Sequence, residues 1–151
     1  MKTVYPPDTI YFYGQTDPFS EFANFAPYGI SLDGVWWSTA EHYFQAQKFL
    51  DANYREQIRK ANRPKDAKSL GTTRAYPLRA DWEEIKGEIM HRTVLTKFQT
   101  HKSLSDLLLS TGNKLIAESS PHDAYWGCGA DGLGLNKLGL ILMAVRDQLR
   151  K

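Results

Sequence analysis

The chain has 151 residues, a formal net charge of +2, and 42% hydrophobic and 13% aromatic residues; that suffices for one domain with a real core and is too weakly basic for broad wrapping of nucleic acid. Its single cysteine, Cys128, excludes an intrachain disulfide and a thiolate zinc site, and His42, His91, His101 and His122 are scattered without ligand spacing, so neither a metal nor a cofactor is expected. No run approaches the roughly 18–20 apolar residues of a membrane span, and the opening Met1-Lys2-Thr3-Val4-Tyr5-Pro6-Pro7 lacks an apolar signal core, so the expectation is a soluble, cytoplasmic protein.

No repeat, low-complexity tract or linker divides the sequence, which predicts one domain over residues 1–151. Residues 9–14 read as a short strand ended by glycine, and 15–28 as a polar-aromatic loop. Ile30-Ser31-Leu32, an Asp33-Gly34 turn and Val35-Trp36-Trp37 read as a hairpin. Ser38 or Thr39 then caps a helix running to about Asp51, with a second helix over Asn53–Asn62 carrying Tyr54 and Ile58 inward. Pro64 opens a third helix through Leu70, stopped by Gly71. Thr72 to Ala80 is a basic loop. Asp81 caps a long amphipathic helix with Ile85, Ile89, Val94, Leu95 and Phe98 on its buried side. A helix over Ser103–Ser110, a strand over residues 114–118, a glycine-rich loop over 121–134 and a terminal helix over Leu138–Leu149 complete the chain. The fold class is helix-rich α+β with a small antiparallel sheet.

Within Glu41-His42-Tyr43-Phe44-Gln45-Ala46-Gln47-Lys48, a helix places Glu41, Gln45 and Lys48 within roughly 60° of one another. An acid and an amine facing one place beside aromatics suit acid–base or carbonyl chemistry. Two plainer readings stand beside this one: a solvent-facing ion pair, and a Ser38-x-x-Glu41 capping box in which Glu41 closes the helix start.

The second constellation is the loop around Asp123, Trp126, Gly127 and Cys128. Its four glycines, leading into a helix, offer bare amides to a phosphate, or else form a simple glycine turn. Asp123 is an acid, a ribose-orienting group or a turn residue, and Asn136 a ligand contact or an N-cap. Arg74 and Arg79 suit phosphate gripping or solvated pairs. Trp82 and Trp126 suit base stacking or core packing. Cys128 invites a nucleophile reading but has no histidine partner.

Taken together, Ile10-Tyr11-Phe12-Tyr13, Phe22-Ala23-Asn24-Phe25, Ser38 to Phe49, Pro77-Leu78-Arg79 with Asp81-Trp82, Asp123 to Gly127 and Asn136-Lys137-Leu138-Gly139 resemble the YbiA/NADAR family along nearly the whole chain. The resemblance implies an N-glycosidase fold. It implies cleavage at a ribose anomeric carbon bonded to nitrogen, either in phosphorylated ribosylamino-pyrimidine intermediates of riboflavin synthesis or in ADP-ribosylated guanine of nucleic acid. A module that binds ADP-ribose or a nucleotide without cleaving it is the non-enzymatic alternative. The expected partner is thus a small nucleotide-like molecule or an ADP-ribosylated nucleic acid, not a membrane. Residue by residue, the resemblance implies catalytic roles for Glu41, Lys48 and Asp123, and substrate contacts from Asn24, Phe25, Gln45, Arg79, Trp82, Trp126, Gly127 and Asn136. Two roles stay open for Lys48: a cation holding phosphate or carbonyl, or a neutral amine capturing the opened ribose aldehyde. Cys128 stands where the family often has an acid, and Leu133 and Leu135 where basic residues are common, which removes a phosphate contact from the loop.

Overall fold

The computed structural model describes residues 5–14 and 18–151. In chain order the elements are β1 (Ile10–Phe12), a 3-10 turn at Ser20–Phe22, β2 (Ile30–Leu32), β3 (Val35–Trp37), α1 (Ala40–Ala46), α2 (Ala52–Arg59), α3 (Pro64–Thr72), α4 (Trp82–Thr100), α5 (Lys102–Ser110), β4 (Ile116–Glu118) and α6 (Lys137–Leu149). They form two compact units, one over Asn24–Thr100 and one joining the segment that ends at Ala23 with His101–Lys151. The helix-rich α+β class is as expected. Part of the polar-aromatic loop, residues 15–17, lies outside the described residues.

In the Asn24–Thr100 unit, β2 and β3 pair antiparallel, with Ile30 opposite Trp37 and Leu32 opposite Val35. Asp33 (φ 57°) and Gly34 (φ 77°) both turn left-handed, which suits the right-handed twist of a two-residue hairpin. Ile30 and Trp37 point into the core, and Trp36 faces out. Asp33 also ties the turn down: it accepts a bond from the Tyr43 hydroxyl at 3.2 Å and pairs with Arg92. Burial, reinforced by the Asp33 charge, pushes the Tyr43 phenol up to about 12.

Thr39, not Ser38, caps α1. Its backbone is extended and its Oγ1 accepts from the His42 amide at 3.2 Å. His42 is fully buried, with Nε2 2.9 Å from the Ala61 carbonyl and Nδ1 2.7 Å from Thr39 Oγ1. The carbonyl can only accept, so Nε2 carries the proton and Nδ1 receives the Thr39 hydroxyl. With the cap at Thr39, Glu41 stands at the second helical position and the Ser38-x-x-Glu41 box does not form. Every residue of α1 is buried, as befits a helix wrapped by α2, α3 and α4.

Helix α1 ends at Ala46, short of the expected Asp51. The Lys48 and Phe49 amides reach back only three residues, to Gln45 and Ala46, and the Lys48 carbonyl receives the Arg79 amide at 2.8 Å instead of continuing a helical ladder. This turn sends Phe49 into the core, where it meets Tyr54 edge-on at 4.9 Å, and leaves Leu50 70% exposed. Asp51 then caps α2 through the Tyr54 amide. Gly71 does not stop α3, which runs one residue further. Before α4 the Asp81 carbonyl accepts from Ile85, while its carboxylate goes to Arg79 rather than to the helix start. Val94 and Phe98 of α4 are buried as expected; Ile85, Ile89 and Leu95 are only partly so, and Trp82, Met90, Thr93 and Lys97 complete the inner face.

In the other unit, β1 and β4 pair in parallel, Ile10 with Ile116 and Phe12 with Glu118. The described residues thus hold a parallel pair in addition to the expected antiparallel hairpin. Helix α6 packs on β4 through Asn136, whose φ is 52° and whose side chain caps nothing. Its Oδ1 accepts from the Glu118 amide at 3.0 Å and its Nδ2 donates to the Ile116 carbonyl at 2.9 Å. A side-chain amide thus imitates a neighbouring strand along β4. Gly139 lets the helix come close, since a Cβ there would lie 2.2 Å from the Ile116 carbonyl.

Two stability outcomes follow. Thr39→Ala removes a cap and the partner of a buried imidazole, and should cost about 1–2 kcal/mol. Asn136→Ala leaves two buried backbone groups without partners and should cost at least about 2 kcal/mol in urea unfolding at an unchanged m-value. A loss under half a kilocalorie for Asn136→Ala would contradict its role as a strand clamp.

Candidate functional site

The Asn24–Thr100 unit brings together Asn24, Glu41, Gln45 and Lys48. Glu41 is 6% and Gln45 4% exposed, and Gln45 Nε2 donates to Glu41 Oε2 at 2.6 Å. A buried carboxylate is costly unless hydrogen-bonded, and the side chain one turn along the helix provides for it. The expected helical strip therefore exists at Glu41 and Gln45, and it faces the protein interior rather than solvent. The Glu41 amide donates to the Asn24 carbonyl at 3.1 Å. Asn24 is itself buried, with Nδ2 3.3 Å from Met90 Sδ. The acceptor oxygens Asn24 Oδ1 and Gln45 Oε1 have no partner among the described residues.

Lys48 leaves from the turn after α1, partly buried, with Nζ 3.5 Å from the Gly71 carbonyl. Burial pushes its amine below the ordinary value of 10.5; the Glu41 charge opposes this, while Arg74, Lys68 and Lys86 lower it further. One carboxylate and one amine of reduced basicity thus lie in a mainly cationic neighbourhood. That arrangement can transfer protons, attract an anion and present a nucleophilic nitrogen. Lys68 and Lys86 belong to no motif, and only the packing of α1 with α3 and α4 reveals them.

The other expected contacts in this unit have more structural roles. Trp82 and Phe44 are both buried, with ring centroids 5.2 Å apart at 58°, so Trp82 is a core aromatic rather than an open stacking platform. Phe25 is partly buried and carries the Lys68 ammonium 5.9 Å from its ring centre. Arg79 grips Asp81 with both arms of its fork, at 2.7 and 3.3 Å, which also holds the Asp81 carboxyl below its usual range.

In the other unit, Asp123 Oδ1 accepts from the amides of Tyr125 and Trp126 at 2.9 and 2.8 Å, a side-chain turn. Trp126 is partly buried and meets Tyr125 edge-on at 4.8 Å. The glycine-rich loop is bonded to itself and to β4. Gly129 donates to Ser120, Gly132 to Gly129 and Gly134 to Cys128, and Lys137 and Leu138 at the head of α6 donate to Tyr125 and Trp126. Those amides are not the bare cradle that the glycine spacing suggested. Gly127 packs tightly, a Cβ there lying 3.0 Å from the Asp123 and Glu118 carbonyls. Asn136 clamps β4, and its side chain makes no N-cap bond. Cys128 is buried and its thiol is pushed up by that burial, with Tyr5 hydrogen bonding opposing and Glu118 adding to it, which suits an inert thiol. Leu133 and Leu135 are exposed. Among the described residues no group of three or more His, Cys, Asp or Glu is placed to hold a metal ion, and no helix is long and apolar enough to cross a membrane.

Residues 11–150 match the NADAR domain. The chain is 47% identical over 143 residues to N-glycosidase YbiA of Escherichia coli K12, covering 94% of this chain and 89% of that protein. It is 46% identical over 145 residues to N-glycosidase Npun_R5314 of Nostoc punctiforme, covering 94% and 93%. It is 38% identical over 160 residues to the chloroplastic riboflavin biosynthesis protein PYRR of Zea mays, covering 96% of this chain but 26% of that larger protein. Its structure is similar to the NMR structure of E. coli YbiA, with a TM-score of 0.87, 46% identity, and 95% and 86% of the two chains covered. With a buried acid and an amine gathered on and just beyond α1, and a family match along nearly its whole length, the chain belongs to the NADAR family.

Proposed function

We infer that the chain is an N-glycosidase that hydrolyses the bond between ribose C1 and the nitrogen of a base, acting on phosphorylated ribosylamino-pyrimidine intermediates of riboflavin synthesis, in the cytoplasm. The observation that carries this is the buried Glu41 held by Gln45 beside a lysine whose amine is made less basic by burial and by neighbouring cations. Relatives named N-glycosidase, and others named riboflavin biosynthesis proteins, support the substrate class.

The chemistry proceeds in balanced steps. Protonation of the ring oxygen opens the ribosylamine, leaving C1 doubly bonded to the base nitrogen. The neutral Lys48 amine adds to C1, and the base departs as a free amine that takes up a proton. The resulting imine between Lys48 and ribose C1 is hydrolysed by water, which returns the aldehyde sugar and the amine. Glu41 exchanges the protons and balances the positive charge that develops on the sugar. With Arg79 engaged by Asp81 and Lys86 by Glu83, the phosphate is held by the other cations around Lys48, namely Lys68 and Arg74.

The test is to incubate the protein with a ribosylaminouracil phosphate and to follow ribose phosphate by mass, with ADP-ribosylated guanosine in parallel. Release of ribose phosphate is expected; release of ADP-ribose alone would replace the substrate assignment, and silence on both would leave a binding module. Lys48→Ala should lose at least about 100-fold in turnover, and Glu41→Gln about 10²–10⁴-fold. Borohydride added during turnover should leave a sugar adduct on Lys48; normal turnover by Lys48→Ala would rule out the imine. The amine must be neutral to attack, and its pKa is lowered, so kcat/KM should rise with pH through an ionisation below 10.5. The same shift makes the folded state bind fewer protons than the unfolded one in that window, so Lys48 costs stability at low pH and the cost is relieved as pH rises. Lys48→Met should flatten that part of the stability curve.

A further inference from the structure

We propose that Gly71, in the last turn of α3, is a positioning residue for both reacting groups, its bare Cα setting the Gln45 carboxamide that holds Glu41 and its carbonyl setting the Lys48 amine. The inference rests on Glu41 and Lys48 being the reacting pair. A Cβ at position 71 would lie 2.0 Å from Gln45 Oε1 and 2.8 Å from both Cβ and Cδ of Gln45. Those distances are impossible for real atoms, and Gln45, 4% exposed, has no outward route of escape. The carboxamide thus lies flat against Gly71, with its nitrogen directed at Glu41 Oε2.

The orientation of that carboxamide is dictated by charge. Glu41, when ionised, can only accept, so the Gln45 NH₂ must face it and Oε1 must face the Gly71 Cα. The unpartnered state of Oε1 is the visible result. On its other side Gly71 presents its carbonyl to Lys48 Nζ at 3.5 Å. That carbonyl lies in the final turn of α3, among the groups that lack helical partners and carry the negative end of the helix dipole. One residue without a side chain therefore fixes the acid through Gln45 and holds the amine directly. Glycine weakens a helix relative to alanine, and at this position alanine cannot fit while Gln45 keeps its place.

Gly71→Ala should lose turnover at least ten-fold, chiefly in kcat, and shift the pH–rate profile while far- and near-ultraviolet circular dichroism stay native. A residue acting only through helix stability would leave the pH profile in place. The losses should not add: Gly71→Ala/Gln45→Ala should be no worse than Gln45→Ala alone. A second readout needs no turnover. In ¹⁵N-labelled protein, the Gln45 side-chain amide signal, identified by its absence in Gln45→Ala, should move with pH in the wild type. It should stop doing so in Glu41→Gln and in Gly71→Ala. Wild-type silence on both substrates with this titration intact would sink the glycosidase reading and leave the Gly71 placement standing. Unchanged turnover and pH profile in Gly71→Ala, additive losses, or a Gln45 signal indifferent to Glu41 would each overturn the proposal. If Gly71→Ala fails to fold, the double variant decides: recovery of the fold supports the contact, and continued failure overturns it.

Discussion

A carboxylate withdrawn from water needs donors close by, because solvation by the protein has to replace solvation by water. Glu41 meets that requirement through the amide of Gln45 one turn further along a helix that is buried on every side. Much of the Asn24–Thr100 unit follows from sustaining this one bond. The helix must start sharply at Thr39, so that Glu41 falls in its first turn without serving as a cap. It must end early, so that Lys48 departs toward the end of α3 rather than continuing round the axis. The segment at Asn24 lies against its head, and the hairpin is pinned to Tyr43 and α4 through Asp33. The hydrophobic core provides the dry surroundings in which a hydrogen bond to a charge is strong.

The sequence was most legible where a local rule acts alone. Asp33-Gly34 specifies a turn that needs two left-handed residues, and it is found there. Pro64 and the apolar spacing of the later helices mark their elements to within a few residues. Legibility failed where distant contacts compete with local ones. The end of α1 is set by Arg79, thirty or so positions on, pairing with the Lys48 carbonyl, and no local feature of the helix announces it. Gly71 reads as a helix stop until the Gln45 side chain that occupies its space is seen. The parallel pairing of β1 with β4 leaves no trace in either strand alone.

The same distinction separates the two groups of candidate site residues. Glu41 and Gln45 stand together because helical spacing nearly guarantees it, while Lys48 reaches the same neighbourhood from the turn after α1. Residue types in the glycine-rich loop suggested ligand contacts, yet Asp123, Gly134 and Asn136 are engaged in holding their own segment to itself and to β4. Asp, Asn and Gly satisfy backbone groups as readily as they bind ligands. Only the hydrogen-bond partners tell the two uses apart.

The parallel pairing of Ile10 with Ile116 carries a consequence for how the chain is made. The Asn24–Thr100 unit is continuous in sequence, so every residue it needs has been synthesised once Thr100 is in place. The strand at Ile10–Phe12 finds its partner only after β4 exists, and the Asn136 amide that fastens β4 comes later still. During synthesis β1 is an apolar strand with an open edge for most of the time the ribosome needs to make the chain, and such edges are where nascent chains associate wrongly. The order of translation therefore gives the segment bearing Glu41 and Lys48 a head start, and leaves the strand at Ile10–Phe12 waiting for its partner until β4 has been made.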